Sequence, residues 1–241
     1  MAELIVLGTA QDGGLPHAGC RCVQCERARR EPGFRRLPAA VGIRSGEATV
    51  LIDATNAFAE QIHLLQCRAA GNQAGGRYAP PATVLLTHAH TRHYVGLWQL
   101  DRSALGAPDV RVTPLPVPHR SEWGTDTVAY RIDGPRRSVL YLPDIDDWSG
   151  WHLDVADIVA SVDVALIDGT FWEPFSRPGV PHPPVRESLD RLAAIARDGD
   201  ARILFTHLNH SNPLADREGA EAAEVRERGF GVAEEGERVS L

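Results

Sequence analysis

The segment Thr87-His88-Ala89-His90-Thr91-Arg92-His93 places three imidazoles in one short loop, directly after the apolar and β-branched run Thr83–Thr87. A run of that kind reads as a strand buried on both faces. Such a strand ends at the rim of a layered domain, where rigid scaffolds hold functional loops. Neutral imidazole is a common ligand of zinc, iron and related metals. The pattern therefore predicts a sheet-based fold whose strand ends gather around a metal.

The remaining segments fit a mixed α/β chain. Leu4–Leu7 reads as a short strand ended by Gly8, and Val41–Arg44 with Thr49–Ile52 reads as a hairpin about Ser45-Gly46. A helix is expected over Ala57–Ala69, a Gly- and Pro-rich loop over Gly71–Pro81, and a further helix over Tyr94–Leu100. Strands are expected at Val110–Leu115, Thr127–Ile132, Ser138–Leu142, Asp163–Ile167 and Arg202–Thr206. Leu189, Leu192, Ala193 and Ala196 recur at helical spacing before Gly199, and Ala215–Arg228 reads as a helix capped by Gly229. Phe230–Ala233 and Arg238–Leu241 read as a closing hairpin. Hairpins and helices alternate in both halves, which suits two β-sheets between helices in a single domain over residues 1–241, although other α/β layouts fit that coarse reading too.

The formal charge of -7 argues against a general nucleic-acid or anionic-membrane surface and favours a small-molecule or peptide-derived substrate. Apolar runs such as Val164-Ala165-Leu166-Ile167 are far too short to span a membrane. Glu3 stands where an export signal would be basic, and Gly8 ends the apolar run, so a cytoplasmic location is the expectation. A homodimer is left open.

Cys20, Cys22 and Cys25 form a C-x-C-x-x-C cluster after a Gly-rich turn, which supplies three of the four ligands of a closed structural zinc site. His210 is the first choice for the fourth ligand, with His17 or Cys67 as alternatives. Cys67, alone on an expected helix, reads otherwise as a small buried apolar residue.

The histidine segment resembles the H-x-H-x-D-H signature of the metallo-β-lactamase superfamily, with Arg92 in place of the aspartate. That resemblance implies a four-layer αββα sandwich. It implies one metal on His88, His90 and His119, and a second on His93, Asp144 and His207, with Asp53 supporting the site from behind. A water on the first metal would be the nucleophile, and Asp144 would serve both as ligand and as proton handler. A guanidinium cannot ligate a cation, and its charge is repulsive beside one unless an anion intervenes. One firmly held metal is therefore expected, with Arg92 either turned away or bound to an anionic group of the substrate.

The opening Gly8-Thr9-Ala10-Gln11-Asp12-Gly13-Gly14-Leu15-Pro16, the segment Ile167-Asp168-Gly169-Thr170-Phe171-Trp172-Glu173 and the run Thr206–Leu214 resemble the branch of the superfamily that serves pyrroloquinoline quinone biosynthesis, next to the phosphodiesterases of phosphonate degradation. By the same resemblance His182 lines the pocket. The chain is shorter than that quinone branch between His93 and His119, and it keeps His88 and His90 where the branch has lost them. The implied function is a metal-dependent hydrolase carrying zinc, iron or manganese at its active site and zinc at the cysteines. The alternatives are an iron-dependent hydroxylase or oxygenase of a tyrosine-derived precursor, and a non-catalytic carrier of the quinone.

Overall fold

The computed structural model describes residues 2–67, 78–99, 110–120, 127–174, 180–199 and 201–241. Its strands are β1 (Ala2–Gly8), β2 (Ala40–Ser45), β3 (Ala48–Ile52), β4 (Thr83–Leu85), β5 (Arg111–Val117), β6 (Thr127–Asp133), β7 (Ser138–Leu142), β8 (Val164–Asp168), β9 (Arg202–Thr206), β10 (Gly231–Val232) and β11 (Arg238–Ser240). The α-helices are α1 (Val23–Arg30), α2 (Phe58–Gln66), α3 (Thr91–Tyr94), α4 (Val155–Ala160), α5 (Val185–Arg191), α6 (Ala193–Asp198) and α7 (Ala220–Glu227). They build a five-stranded sheet, ordered β11-β1-β2-β3-β4, and a six-stranded sheet, ordered β10-β9-β8-β7-β6-β5.

Period-two alternation within the strands gives each sheet two apolar faces. Leu4, Val6, Ile43 and Ile52 of the first sheet meet Ile132, Tyr141, Leu166 and Leu204 of the second in the central core. The intervening residues face outward. Ile5, Leu7 and Leu51 pack beneath Phe58, Ile62 and Leu65 of α2, while Leu140, Leu142, Ile167 and Phe205 pack beneath Val155, Val159, Leu189 and Val225 of α4, α5 and α7. This is the αββα sandwich.

The topology decides where the chemistry collects. β3 and β4 pair in parallel, as do β7, β8, β9 and β10. Two antiparallel steps bring β1 into the same sense as β3, and two more bring β5 into the same sense as β7. Side chains just beyond the C-terminal ends of β1, β3, β4, β5, β7, β8 and β9 thus share one rim, as ligand-binding residues do in other α/β sheets.

Several elements differ from the sequence expectation. The two closing strands do not form a hairpin: β10 pairs in parallel with β9, whereas β11 pairs antiparallel with β1 in the other sheet. The connection from Ala233 to Glu237 crosses between the sheets, pinned by Ala233 N donating to Phe205 O and Gly236 N to Val6 O. The Leu189–Ala196 pattern splits into α5 and α6 at Leu192, whose φ of -103° and ψ of 8° leave the helical region. Ala215 ends a short 3-10 turn led by Pro213, so the last helix starts at Ala220. α2 ends at Gln66, and the last two residues of the expected helix, with residues 71–77 of the expected loop, lie outside the described residues. The segment after the histidines is one α-helical turn, α3, followed by a 3-10 turn over Val95–Gln99, and Leu100 lies outside the described residues.

Candidate metal centre

β4 delivers Thr87 and His88 to the rim, and α3 turns back at once so that His93 returns beneath them. Asp53, ending β3, fixes that turn. Its Oδ1 accepts from Thr87 N at 2.9 Å, both its oxygens accept from Thr87 Oγ1 at 2.9–3.0 Å, and its Oδ2 lies 3.0 Å from His93 Nδ1. Asp53 has φ 67° and His207 has φ 58°; they are the non-glycine residues with left-handed backbone among those described. Such strain, here at two rim residues, persists where the surroundings enforce it, and it collects at functional sites.

His88 Nε2 and His90 Nδ1 meet at 2.6 Å, and the His119 ring, carried past the end of β5, packs edge-on to both with centroids 5.1 and 5.5 Å away. One donor atom from each of the three lies within 4.8 Å of the others. Asp144, just beyond β7, sits at the middle of the cluster. Its Oδ2 lies 3.3 Å from His207 Nε2, 3.6 Å from His93 Nε2 and 4.0 Å from His88 Nε2, while its Oδ1 lies 3.6 Å from His119 Nε2. The structure thus brings together all six residues read from the sequence as ligands.

The electrostatics suit a cation. Burial, then His93 beside it, pushes His88 down to about 2, and burial likewise lowers His90 and His119, so all three are neutral at pH 7. Burial opposes ionisation of Asp144, yet the surrounding His207, His88, His119 and His93 hold it well below the carboxylate range. Burial would also lower His93, but Asp53 and Asp12 raise it well above the ordinary value. His119 Nε2, His207 Nε2 and Asp144 Oδ2 are buried without a hydrogen-bond partner. Buried polar atoms are seldom left unpaired. These orphans belong to neighbouring side chains of one cluster, and a divalent cation bound there would satisfy them.

His207 is oriented by Thr170 Oγ1, 2.9 Å from its Nδ1, an outer-shell arrangement usual for metal-bound imidazole, while Asp146 Oδ1 lies 2.9 Å from His119 Nδ1 without hydrogen-bond geometry. The His182 side chain is 2% exposed, with Nδ1 2.7 Å from Asp168 Oδ2 and its ring 5.5 Å from that of His119. Arg92 is exposed at the rim and pairs with Asp12.

Sequence reasoning missed Asp12, Asp146 and Asp168. Asp168 ends Val164–Asp168 as Asp53 ends Val50–Asp53, an aspartate closing an apolar strand in both cases, and that shared signature could have found it. Asp12 carries no such local signal. It reaches the site because the turn after β1 lies along the His207 loop, through Gln11 N to Leu208 O at 2.7 Å and Leu208 N to Thr9 O at 2.8 Å.

The cysteines form a separate group. Cys20, Cys22, Cys25 and His210 offer ligand atoms within 4.8 Å of one another. His210 Nδ1 lies 3.6 Å from both Cys20 Sγ and Cys22 Sγ, and a tetrahedral zinc site has S···N edges of about 3.6 Å. His17 N and Cys22 N lie 3.3 and 3.4 Å from the Cys25 and Cys20 sulfurs, as outer donors. Cys67 instead caps α2, half-buried, its Sγ 3.8 Å from Leu64 O.

A cavity of about 920 Å³ opens over this rim, bordered by Asp12, His90, Arg92, Arg120, Phe171 and His210. The two sheets between helices, with histidines and aspartates gathered on one rim, are the layout of the metallo-β-lactamase fold, and residues 99–208 match the model of the "Beta-lactamase superfamily domain". The chain is 28% identical to coenzyme PQQ synthesis protein B of Xanthomonas campestris pv. campestris, over 99% of this chain and all of the relative. It is 26% identical, at the same coverage, to that of Methylobacterium radiotolerans. Among solved structures it superposes on zinc-bound PqqB from Methylobacterium extorquens with a TM-score of 0.81 at 23% identity, covering 99% and 100% of the two chains. It superposes on a diphosphatase of the PhnP family with a TM-score of 0.67 at 21% identity, covering 100% and 98%. No described helix is long and apolar enough to cross a membrane.

Proposed function

We propose that the protein is a metal-dependent hydrolase acting on a small anionic substrate. The observation that carries this reading is the convergence of His88, His90 and His119 on one point beside Asp144, with the cavity opening over His90. A divalent cation held there would supply a nucleophile at neutral pH by acidifying a water, and would polarise the substrate. Three neutral imidazoles leave a position open, as catalytic sites require. Asp144 stays ionised, as a carboxylate ligand of that cation would need to be. Asp168 outweighs the effect of burial and raises His182 to about 9, so His182 holds a proton at neutral pH that it can give to a leaving group. Arg92 and Arg120 border the cavity and favour a phosphate or carboxylate there. The diphosphatase neighbour supports phosphate ester or anhydride chemistry.

The identity to coenzyme PQQ synthesis proteins favours a second reading, in which the same histidine and aspartate ligands hold iron and a tyrosine-derived precursor of the quinone is oxidised. Protein reconstituted with zinc, manganese or iron, assayed on phosphodiester and ester chromogens and for oxygen uptake with tyrosine-containing peptides, separates the two. Zinc- or manganese-dependent turnover that His119→Ala abolishes supports the hydrolase. Oxygen uptake with iron alone supports the second reading, and tight quinone binding with neither activity identifies a carrier.

A further inference from the structure

We propose that Asp12 replaces the aspartate missing from the histidine motif, so that the cluster holds two metal ions, and that Arg92 anchors this substitute ligand. The inference rests on the metal-dependent reading above and extends it to a ligand set particular to this chain.

Three observations carry it. First, Asp12, His93 and His207 offer ligand atoms that all lie within 4.8 Å of one another. Asp12 Oδ1 is 3.7 Å from His93 Nε2, which is 3.6 Å from Asp144 Oδ2, which in turn is 3.3 Å from His207 Nε2. Ligand–ligand edges of a four-coordinate zinc site with bonds near 2.0–2.1 Å are about 3.3 Å. Second, Asp144 Oδ2 and His207 Nε2 are buried and unpartnered, on side chains no more than 4% exposed. The first metal position, on His88, His90 and His119, does not reach His207, and a second ion satisfies it.

Third, the charge arrangement is resolved by an exchange of positions. Arg92 occupies the sequence position of the motif aspartate, yet its guanidinium does not enter the cluster; it pairs with Asp12 Oδ2, the oxygen opposite the one nearest His93. The carboxylate stands between the guanidinium and the metal position. That intervening anion removes the repulsion which led to the expectation of one metal. Outer-sphere anchoring of a ligating carboxylate is the usual companion of such a ligand. The turn that presents Asp12 is itself fixed: Gly14, at φ 73°, donates its N–H to Gln11 O at 2.8 Å, and the Asn209 side chain binds that of Gln11.

The test is metal stoichiometry by mass spectrometry after equilibration with zinc, together with manganese-loaded electron paramagnetic resonance, which reports exchange coupling between ions about 3.5–4 Å apart. Wild type is expected to hold three equivalents, one at the cysteines and two coupled at the cluster. Asp12→Asn and Asp12→Ala are each expected to hold two, without coupling. Arg92→Ala weakens the last equivalent by about 10- to 100-fold. The double variant D12A/R92D, which restores an aspartate at the motif position, is expected to regain the third equivalent and the coupling. A folded Asp12→Asn protein with three equivalents overturns the proposal, as does wild type with only one ion at the cluster. Two coupled ions without hydrolysis would sink the hydrolase reading alone, and hydrolysis with one ion would sink this one alone.

Discussion

Replacing Asp53 with asparagine changes almost nothing but the sign of one hydrogen bond, which makes it a sharp probe of how the centre is oriented. Position 53 has φ 67°, a conformation asparagine tolerates as well as aspartate, and the two side chains are the same size. The asparagine oxygen can still accept from Thr87 N. The amide nitrogen, however, lands where Oδ2 now faces His93 Nδ1 at 3.0 Å, and it can only donate. His93 must then carry its proton on Nε2, the atom that faces Asp12 and Asp144, and its lone pair is lost to the metal. Loss of a buried charge-assisted hydrogen bond costs about 1.5–3 kcal/mol. Disturbing an outer-shell carboxylate weakens metal binding about 10- to 100-fold. Urea unfolding of metal-free protein and a zinc titration against a competing chelator measure the two effects separately. If the D53N variant matched wild type in both, Asp53 would not be what sets the His93 tautomer.

The His182–Asp168 pair predicts a pH dependence in metal-free protein. The folded His182 value is raised to about 9 from an ordinary 6.5, so its stabilisation is fully present below about pH 6.5 and is lost as pH rises through 9. The loss is on the order of 3 kcal/mol, and Asp168→Asn flattens it; unfolding curves from pH 6 to 10 that coincide for both proteins would contradict this. Cys25→Ser removes one zinc equivalent and lowers the unfolding midpoint, because the cysteine site ties the loop before α1 to the segment after β9; a variant with unchanged metal content would refute the assignment. In Gly169→Ala the added Cβ meets Phe205 Cβ at 2.9 Å and Thr206 O at 3.0 Å, so a loss of about 1–3 kcal/mol is expected, with weaker metal binding through Asp168 and His207. Retention of both properties would show that the 168–170 turn yields freely.

The clustered histidines were legible because they are local: three imidazoles follow one strand, and His119, Asp144 and His207 each stand just past a recognisable apolar run. The cysteine cluster was legible for the same reason. Asp12 was not, since its role depends on β1 and β9, members of different sheets, ending side by side at Ala10 and Leu208. The closing hairpin was misread for a related reason. Two short strands with a turn between them look alike whether they pair with each other or with separate sheets, and only the sandwich as a whole decides. Arg92 stands at the position of the motif aspartate, and a sequence shows only what occupies a position, whereas the carboxylate that the structure brings beside His93 is that of Asp12, 80 residues away from Arg92.

Anomalous diffraction at the zinc absorption edge, from crystals of protein equilibrated with zinc, tests the central claim most directly. The account predicts a peak bounded by His88, His90, His119 and Asp144, a second bounded by Asp12, His93, His207 and Asp144, and a third among Cys20, Cys22, Cys25 and His210. A peak at the cysteines with none among the histidines would contradict it.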